Sequence, residues 1–284
     1  TNSVSSHMLQ LAFRVSSSAT VVEAILAERT ARSLRPRTSP SFSGLQVTRR
    51  KTPARAVPAR ARYTVSAAGG DTKPAMPSKG WESMWAAGLN PGDAFDAGRV
   101  EPAFQALITS GELPVGRAFV PGCGRGYAVA ALTSAERTVT GLEISVTAQV
   151  AAQTYLASAP SGDGGDAAAY AQIILDDFFT HVPAAGAYDL VYDCTFLCAI
   201  DPTRRGEWAA QMSKLIKPGG EIVSLVFPLG EFAGGPPFAL SPALVQSLLE
   251  PAGFECISLT EVPEEQWNRG RGEFLYRWRR SAES

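Results

Sequence analysis

The sequence predicts an α/β fold: a doubly wound, seven-stranded sheet that is mostly parallel and ends in an antiparallel C-terminal hairpin. Strand-like and helix-like segments alternate from about residue 80 onward, which is typical of a parallel sheet covered by helices on both faces. A glycine-rich turn, 122–126, joins the first strand to the helix that follows it. The loop 260–272 between the last two strands carries no helix-length insert, so we expect these strands to pair as a hairpin.

Each predicted element depends on a local pattern. Apolar runs bounded by glycine, proline or polar residues predict strands. Ser145, Asp201 and Ser241 precede apolar periodic segments, as helix caps do, and proline follows the last two at the first helical position. In chain order we expect helices over 101–110, from the glycine turn to about 133, over 145–157, from 201 to 216 and from 241 to before 253, and strands over 118–120, 138–144, 171–175, 188–192, 221–227, 254–259 and 273–278.

The helix that begins at Asp201 has an apolar stripe at helical spacing. We interpret its residues as core, because such a stripe normally packs against the protein interior. The stripe consists of Trp208, Met212, Leu215 and Ile216. In a parallel sheet, ligands bind beyond the carboxyl ends of the strands, so residues at strand ends are the better candidates for a site.

The formal net charge of −1 conceals two regions of opposite sign. Residues 1–70, the basic arm, contain eleven lysines and arginines and two acidic residues, a net of +9. Residues 71–284, the body, contain 15 basic and 25 acidic residues, a net of −10. All of the predicted strands lie in the body, so the chain divides into an arm and one folded domain.

The basic arm is rich in Ser, Thr, Ala and Arg, which is the composition of an organelle transit peptide. We expect a mature protein that begins near residue 68 and resides in a plastid or mitochondrion, or otherwise in the cytoplasm. A disordered tail or a nucleic-acid-binding arm would also be basic. The arm lacks the interleaved aromatic residues that single-strand binding would need, so we expect no nucleic-acid partner.

The sequence shows no pattern of a metal centre, a disulfide framework or a membrane span. The four cysteines form no C-x-x-C pair, the two histidines are far apart, and Asp176 and Asp177 lack a third ligand. No stretch approaches the ~18 consecutive apolar residues of a membrane helix. We therefore expect a monomer from a reducing compartment, without a metal and without a membrane partner.

The glycine turn and the second strand together indicate a nucleoside site. Glycines let the backbone turn tightly and approach a ligand, and the helix behind them presents free N–H groups. Seventeen residues after Gly126, Glu143 ends the second strand, where an acidic side chain can accept hydrogen bonds from both ribose hydroxyls. This is the arrangement of Rossmann-like folds, and it leaves open which nucleoside binds.

The spacing of the glycines favours one nucleoside cofactor. A nicotinamide site normally has G-x-G-x-x-G, whereas this chain has Gly122, Gly124 and Gly126 and no glycine at 127. The G-x-G-x-G spacing, the L-I-K-P-G-G turn at 215–220 and the terminal hairpin together resemble the class I S-adenosylmethionine-dependent methyltransferases. A dinucleotide oxidoreductase is the least favoured alternative.

Longer motifs narrow the resemblance. Trp81 and Trp85, the segment F-D-A-G-R-V-E-P at 95–102 and V-P-G-C-G at 120–124 resemble the corresponding motifs of the thiopurine methyltransferase superfamily. F-L-C-A-I-D-P at 196–202 and G-G-P-P-F at 234–238 resemble the plant and algal halide/thiol methyltransferases within it. The matches extend from Trp81 to Arg279, which is essentially the whole body.

The resemblance implies roles in binding S-adenosylmethionine. Glu143, where the plant members usually have Asp, would hold the ribose. Arg99 would pair with the cofactor's carboxylate, and Asp193, or the backbone just after it, would face its amino group. The resemblance also assigns Gly122, Cys123, Gly124 and Gly126 to the methionine part, Asp177 and Phe178 to the adenine ring, and Trp81 and Trp85 to the wall over the sulfonium.

The same resemblance implies methyl transfer to halide ions (iodide, bromide or chloride), bisulfide, thiocyanate or small thiols. Soft anions already carry the attacking electron pair, so no acid–base residue is required. The implied acceptor pocket consists of Trp81, Trp85, Phe95, Phe238 and Cys198. Phe95 replaces the family's usual Trp and Phe238 replaces the plant members' Tyr, so the acceptor stays open. The alternatives are a thiopurine-type or other small-molecule S-methyltransferase and a binding protein that has lost catalysis.

Structural roles stay open for several of these residues. Trp81 and Trp85 could form a helix face that docks on the core, and Cys198 could belong to the core. Cys123 fits better as a small residue in a tight turn than as a nucleophile. The G-G-P-P segment could form a lid over the site or a plain turn.

Overall fold

The computed structural model describes residues 78–184 and 186–282. The basic arm, with its expected transit peptide, lies outside these residues. In chain order the helices are α1 (Ser78–Ala86), α2 (Pro102–Thr109), α3 (Tyr127–Leu132), α4 (Val146–Leu156), α5 (Arg205–Leu215) and α6 (Pro242–Leu249), and the strands are β1 (Gly116–Pro121), β2 (Arg137–Glu143), β3 (Ala171–Leu175), β4 (Tyr188–Cys194), β5 (Ile216–Val226), β6 (Phe254–Glu261) and β7 (Phe274–Arg280).

The seven strands form one sheet in the order β3-β2-β1-β4-β5-β7-β6. Strands β1 to β5 pair in parallel, and β7 runs antiparallel to both β5 and β6. The expected α/β class, the seven strands and the antiparallel hairpin are therefore confirmed. The strand order reverses between β1 and β4, which is where doubly wound sheets bind their ligands.

Side-chain caps begin the helices much as the sequence predicts. The Ser145 hydroxyl accepts the Ala148 N–H at the start of α4, and the Ser241 hydroxyl accepts the Leu244 N–H at the start of α6. Asp201 caps a short 3-10 turn, Pro202–Arg204, and α5 begins only after it. The caps satisfy backbone N–H groups that a first helical turn otherwise leaves without partners.

Ile216 is a correction to the sequence prediction. Helix α5 ends at Leu215, and Ile216 has the extended backbone of a strand (φ −99°, ψ 134°) and begins β5. It pairs with Tyr188 of β4, so β5 starts earlier than its apolar run suggests. The other three residues of the stripe, Trp208, Met212 and Leu215, are fully buried in the core.

Buried residues form two hydrophobic clusters on opposite faces of the sheet. Phe119 of β1 belongs to the cluster that packs under α5 and α6, whereas its neighbours Ala118 and Val120 belong to the cluster under α2 and α3. This alternation is that of a strand covered on both faces. Among residues 78–184 and 186–282, no helix combines the length and the apolar character that crossing a bilayer requires.

Candidate active site

A cavity of about 910 Å³ lies at the carboxyl ends of β1, β2 and β4. Eleven residues that the sequence singles out line it, and these come from α1, the segment after it, the glycine turn and the ends of β2, β3 and β4. They are Trp81, Trp85, Phe95, Arg99, Gly122, Cys123, Gly124, Glu143, Asp177, Phe178 and Cys198. Gly126, Asp193 and Phe238 are not among the lining residues.

The glycine turn uses backbone angles that other residues rarely adopt. Gly122, Gly124 and Gly126 all have positive φ, at 56°, 53° and 84°. A Cβ at Gly122 would lie 2.5 Å from the Phe196 ring, whereas a Cβ at Gly124 would meet only Trp85, at 3.6 Å. Gly126 ends the turn as the cap residue of α3. The turn therefore presents backbone to the cavity at Gly122 and Gly124, whereas Gly126 allows the positive φ that the turn needs where α3 begins.

Glu143 is a buried carboxylate at the end of β2, 6% exposed. One oxygen accepts the Gly124 N–H at 2.6 Å and the other accepts the Ile144 N–H at 3.1 Å. Burial raises the pKa of Glu143, and these hydrogen bonds act in the opposite direction. A carboxylate accepts about four hydrogen bonds, so each oxygen retains an acceptor position for a ligand hydroxyl.

Helix α1 and the segment after it build an aromatic wall. The Phe95 ring makes edge contacts with Trp81 and Trp85, at centroid distances of 5.6 and 5.9 Å. Arg125 of the glycine turn fixes this wall, because its guanidinium donates to Asp96 Oδ2 and to a backbone carbonyl, both at 2.8 Å, and lies 5.3 Å from the Trp85 ring. The aromatic wall is thus tied directly to the turn beside it.

A second aromatic group on the cavity lining contains Phe178 and Phe196, whose rings meet edge to face at 4.9 Å. Asp177 lies beside them, and its carboxylate accepts the Phe179 N–H at 2.9 Å. Sequence reasoning gave Phe196 no role, although it lies inside a motif used for the resemblance. Its contact with Gly122 could not be inferred, because the two residues are 74 positions apart.

The Asp193 side chain corrects a second expectation, since its carboxylate faces inward. One oxygen accepts the Leu197 N–H at 3.1 Å and the other accepts the Trp208 indole N–H at 2.9 Å. Burial raises the pKa of Asp193 to about 6. Cys194 and Thr195, which follow it, do line the cavity, and Thr195 has a positive φ of 55°. Of the two possibilities expected, the residues just after Asp193 are thus the ones that line the cavity.

Phe238 is also placed differently from the expected acceptor pocket. Its side chain is buried, 4% exposed, and its N–H donates to the Cys198 carbonyl at 2.7 Å. Pro236 and Pro237 line the cavity in its stead. The apolar ring is excluded from water by packing beneath the G-G-P-P segment, so the prolines rather than the ring cover this side.

The cavity cysteines are poor candidates for reactive thiolates. Burial raises the pKa of Cys123, Cys194 and Cys198, and nearby carboxylates add to the shift in each case. Arg99 is exposed, and its Nε donates to Asn268 Oδ1 at 3.2 Å. In the described part of the chain, no cluster of three or more His, Cys, Asp or Glu residues could hold a metal ion.

A further polar group on the wall was missed by sequence reasoning. Glu101 is 7% exposed and accepts hydrogen bonds from Tyr192, Cys194 and Arg269, all of which line the cavity. Arg269 follows no recognisable motif, so only the fold could bring it to Glu101. Glu101 and Asp96 both lie inside the motif at 95–102, and Arg125 lies inside the glycine turn. The opposite charges of Asp96 and Arg125 were the available signal for that pair.

The residues present suit S-adenosylmethionine. The buried acid Glu143, with free acceptor positions, suits the ribose, and the glycine turn beside Trp85 suits the amino-acid part. The aromatic lining suits the sulfonium. Together with the strand order and the antiparallel β7, they define a class I S-adenosylmethionine-dependent methyltransferase. The chain is thus an enzyme, and S-adenosylmethionine is its cofactor.

The chain belongs to the thiopurine S-methyltransferase family, whose sequence model matches residues 76–278. It is 42% identical over 205 residues, 72% of this chain and 86% of the other, to "Probable thiol methyltransferase 2" of Arabidopsis thaliana. It is 40% identical over 202 residues, 71% and 84% of the two chains, to "Thiocyanate methyltransferase 1" of Brassica oleracea. "Thiopurine S-methyltransferase" of Vibrio parahaemolyticus is 29% identical over 159 residues, 52% and 71% of the two chains.

Solved structures share the fold at low sequence identity. A structure from a study of the conversion of a disulfide bond into a thioacetal group during echinomycin biosynthesis aligns with a TM-score of 0.57 at 20% identity, over 73% of this chain and 94% of that one. The N-methyltransferase NodS from Bradyrhizobium japonicum, in complex with S-adenosyl-L-homocysteine, aligns with a TM-score of 0.51 at 14% identity, over 70% and 97%. These two similarities support the fold alone.

Proposed function

We propose that this chain transfers the methyl group of S-adenosylmethionine to small sulfur nucleophiles and to halide ions. The sulfur acceptors would be thiols, bisulfide and thiocyanate, and the products would be methyl thioethers, methyl thiocyanate and methyl halides. The names of the plant relatives support the sulfur acceptors. The observation that carries the proposal is the cavity itself, whose walls are aromatic and whose described lining contains no histidine.

The aromatic residues would exclude water from the acceptor and attract the positively charged sulfur of the cofactor. The rings that line the cavity are those of Trp81, Trp85, Phe95, Phe178 and Phe196. Ring faces attract a cation by about 0.5–2 kcal/mol per contact, and holding two reactants in line can lower a barrier by about 7–11 kcal/mol in favourable cases. The bound cofactor supplies an activated methyl group on a positively charged sulfur.

The other lining residues would bind and orient. Glu143 offers acceptor positions to the ribose hydroxyls, and the turn at Gly122 and Gly124 offers backbone to the amino-acid part. Asp177 and Phe178 flank the place expected for the adenine ring, and Arg99 can turn its exposed guanidinium to a carboxylate. These assignments belong to the proposal together with the acceptor.

An acceptor panel tests the proposal. The full-length protein is incubated with S-adenosylmethionine labelled in the methyl group and with iodide, bromide, chloride, bisulfide, thiocyanate or ethanethiol, and labelled volatile products are separated by gas chromatography. We expect turnover of the sulfur acceptors and of iodide, the softest halide. Absence of labelled product from every acceptor would refute the proposed function.

A second candidate is a thiopurine-type methyltransferase that acts on bulky aromatic thiols. The cavity volume favours it, because about 910 Å³ lies near the upper end of the roughly 300–1,000 Å³ of ligand pockets and leaves room for a ring beside the cofactor. The same panel extended with 6-mercaptopurine decides between the two. A larger kcat/KM for the aromatic thiol than for any small acceptor would select the second candidate.

A further inference from the structure

Glu101 is a buried carboxylate on the cavity wall that transfer to a soft anion does not use. It precedes Pro102 at the start of α2 and is 7% exposed. Its Oε2 accepts the Tyr192 hydroxyl at 3.1 Å, and its Oε1 accepts the Cys194 thiol at 3.1 Å and Arg269 Nη2 at 3.3 Å. The carboxylate is therefore held rigidly, by donors from β4 and from the loop before β7.

One acceptor position of this carboxylate stays free. A carboxylate accepts about four hydrogen bonds, two on each oxygen. Oε1 of Glu101 receives two donors in the structure, whereas Oε2 receives only Tyr192. Oε2 thus has room for one further donor, and the residue lines the cavity where the acceptor would be held.

The Glu101 carboxylate lies beside one cation and close to a second buried carboxylate. Arg269 is the cation in direct contact with it, and Arg269 also lies 3.9 Å from a carboxylate oxygen of Glu273, which is fully buried. Two carboxylates therefore share one guanidinium. Burial raises the pKa of Tyr192 and of Cys194, so both remain protonated donors. Of the other arginines that line the cavity, Arg99 and Arg271 are exposed. Arg125 is paired with Asp96, and Arg204 is paired with Glu207.

A neutral thiol acceptor must lose its proton before or during methyl transfer, and a carboxylate can accept that proton. A cysteine thiol has a pKa of about 8.5, and a simple alkyl thiol is a weaker acid, so most of it carries its proton at pH 7. The thiolate is the nucleophilic form. Thiocyanate and iodide have no proton to lose. The described lining residues include no histidine, so a carboxylate is the candidate base. Of the other lining carboxylates, Glu143 and Asp177 are assigned to the cofactor. Asp96 is paired with Arg125, and Asp201 caps a 3-10 turn. This leaves Glu101 as the candidate.

We propose that Glu101 is the general base for neutral thiol acceptors, an inference that rests on the proposed function. The S–H bond of the acceptor breaks and its proton passes to Glu101 Oε2, while the sulfur electron pair forms the new S–CH3 bond. The sulfonium–methyl bond of the cofactor breaks, and its electron pair remains on the sulfur of S-adenosylhomocysteine. Glu101 then releases the proton to water, so a thiol yields a methyl thioether and one proton.

Glu101→Gln in the full chain tests this role, because it keeps the shape and removes the base. We expect kcat/KM for ethanethiol to fall about 100-fold or more, the usual size of a general-base effect. In the same preparation, kcat/KM for thiocyanate and iodide should change by less than about threefold. An equal loss with all acceptors, or an unchanged rate with ethanethiol, would overturn the proposal.

Three controls separate proton removal from structural effects. An electron-poor benzenethiol, which is ionised at pH 7, should keep its rate in Glu101→Gln. Glu101→Asp should recover part of the ethanethiol rate. Glu273→Gln changes the charge beside Arg269 at a residue that does not line the cavity, so it should change kcat/KM for ethanethiol and for thiocyanate equally. If only kcat/KM for ethanethiol fell, the net charge alone would explain the effect, and this result would count against Glu101.

The wild-type enzyme provides a test that does not depend on the folding of a variant. Without a base, kcat/KM for ethanethiol must rise tenfold per pH unit from pH 6 to 8, in step with the thiolate fraction. With Glu101 as base, we expect a much flatter profile, and the tenfold slope would overturn the proposal. Failure of the proposed function is distinguishable, because the wild-type enzyme would then methylate neither thiocyanate nor ethanethiol.

Discussion

At Gly124 a single hydrogen atom in place of a side chain keeps the cavity open next to the glycine turn. Its φ is 53°, and a Cβ there would point toward Trp85. We expect Gly124→Ala to raise the Kd for S-adenosylmethionine at least tenfold, as measured by calorimetry. Gly111→Ala is the matched control, since Gly111 also has a positive φ (72°) but has nothing within 4 Å and is not part of the cavity lining. Both variants carry about 1–2 kcal/mol of backbone strain, and equal losses of affinity would assign the effect to strain.

Glu143 is expected to act on binding more than on the chemical step. Glu143→Ala removes the acceptors for the ribose and leaves the Gly124 N–H without its partner. We expect the KM for S-adenosylmethionine to rise 10- to 100-fold while kcat at saturating cofactor falls less than fivefold. Steady-state kinetics at varied cofactor concentration measure both quantities. A large fall in kcat with an unchanged KM would remove Glu143 from the ribose role.

The buried pair of Asp193 and Trp208 gives a stability effect with a defined dependence on pH. The pKa of Asp193 is raised to about 6 by burial, so its ionisation lowers the stability of the folded protein as the pH rises from about 4 to 6. The indole hydrogen bond lowers this pKa and stabilises the charged form. Trp208→Phe should therefore lower the free energy of unfolding more at pH 8 than at pH 5, by about 1–2 kcal/mol.

Urea unfolding at the two pH values measures this difference. The loss of indole volume affects the free energy of unfolding equally at both, so it cancels in the comparison. Met212→Leu, in the same buried cluster but without a hydrogen bond to Asp193, is the control and should show no such difference. If Trp208→Phe lowered the free energy of unfolding equally at pH 5 and pH 8, the predicted role of the indole hydrogen bond to Asp193 would be wrong.

At the scale of elements, the acidic side chain of Glu82 attaches helix α1 to the start of helix α4. Glu82 accepts the hydroxyls of Ser145 and Thr147, each at 2.6 Å, and the Thr147 N–H at 3.2 Å. These donors begin helix α4, so the acid also suits the positive end of that helix dipole. The aromatic wall formed by Trp81 and Trp85 depends on this attachment.

Glu82→Gln should loosen α1. We expect faster amide hydrogen exchange across residues 78–86 and a higher KM for the acceptor, because Trp81 and Trp85 become less well positioned. The hydrogen bonds to Ser145 and Thr147 lower the pKa of Glu82, so the attachment is present above about pH 4.5 and is lost only as the pH falls through the lowered pKa. Glu136→Gln, at an exposed acid away from the cavity, is the control; matching exchange rates in both variants would contradict the role of Glu82.

The elements that the sequence predicted well are those with a short-range pattern. The strands from 118 to 192 and the capped helices follow from apolar runs and from Ser145 or Ser241. The start of β5 did not, because Ile216 continues the helical stripe in sequence and only its pairing with Tyr188 makes it a strand residue. A local pattern cannot reveal a partner on another strand.

At the scale of the whole molecule, the glycine turn and Glu143 located the cavity in advance, since both lie at strand ends. Side-chain direction was harder to predict. Asp193 and Phe238 belong to the right segments but face the interior, where an indole N–H and apolar packing stabilise them. The Glu101 cluster joins residues up to 168 positions apart. Glu101 lies inside the motif at 95–102, but no local pattern connects it to Arg269.

The basic arm gives a prediction for the whole chain. We propose that residues 1–70 are a transit peptide, on the basis of their composition and net charge of +9. N-terminal sequencing of the protein purified from its own cells should find a start near residue 68. Recovery of the complete arm on the mature protein would refute the proposal.

Arg125 joins two parts of the site that handle different molecules. It lies in the glycine turn that is expected to bind the cofactor, and its guanidinium donates hydrogen bonds to Asp96 and to the Leu89 carbonyl, next to the Trp85 ring. A movement of the aromatic wall would therefore break the contacts of Arg125 and disturb the glycine turn that is expected to bind the cofactor. We expect such a linkage to make binding ordered, with S-adenosylmethionine binding before the small acceptor and the demethylated cofactor leaving after the methylated product.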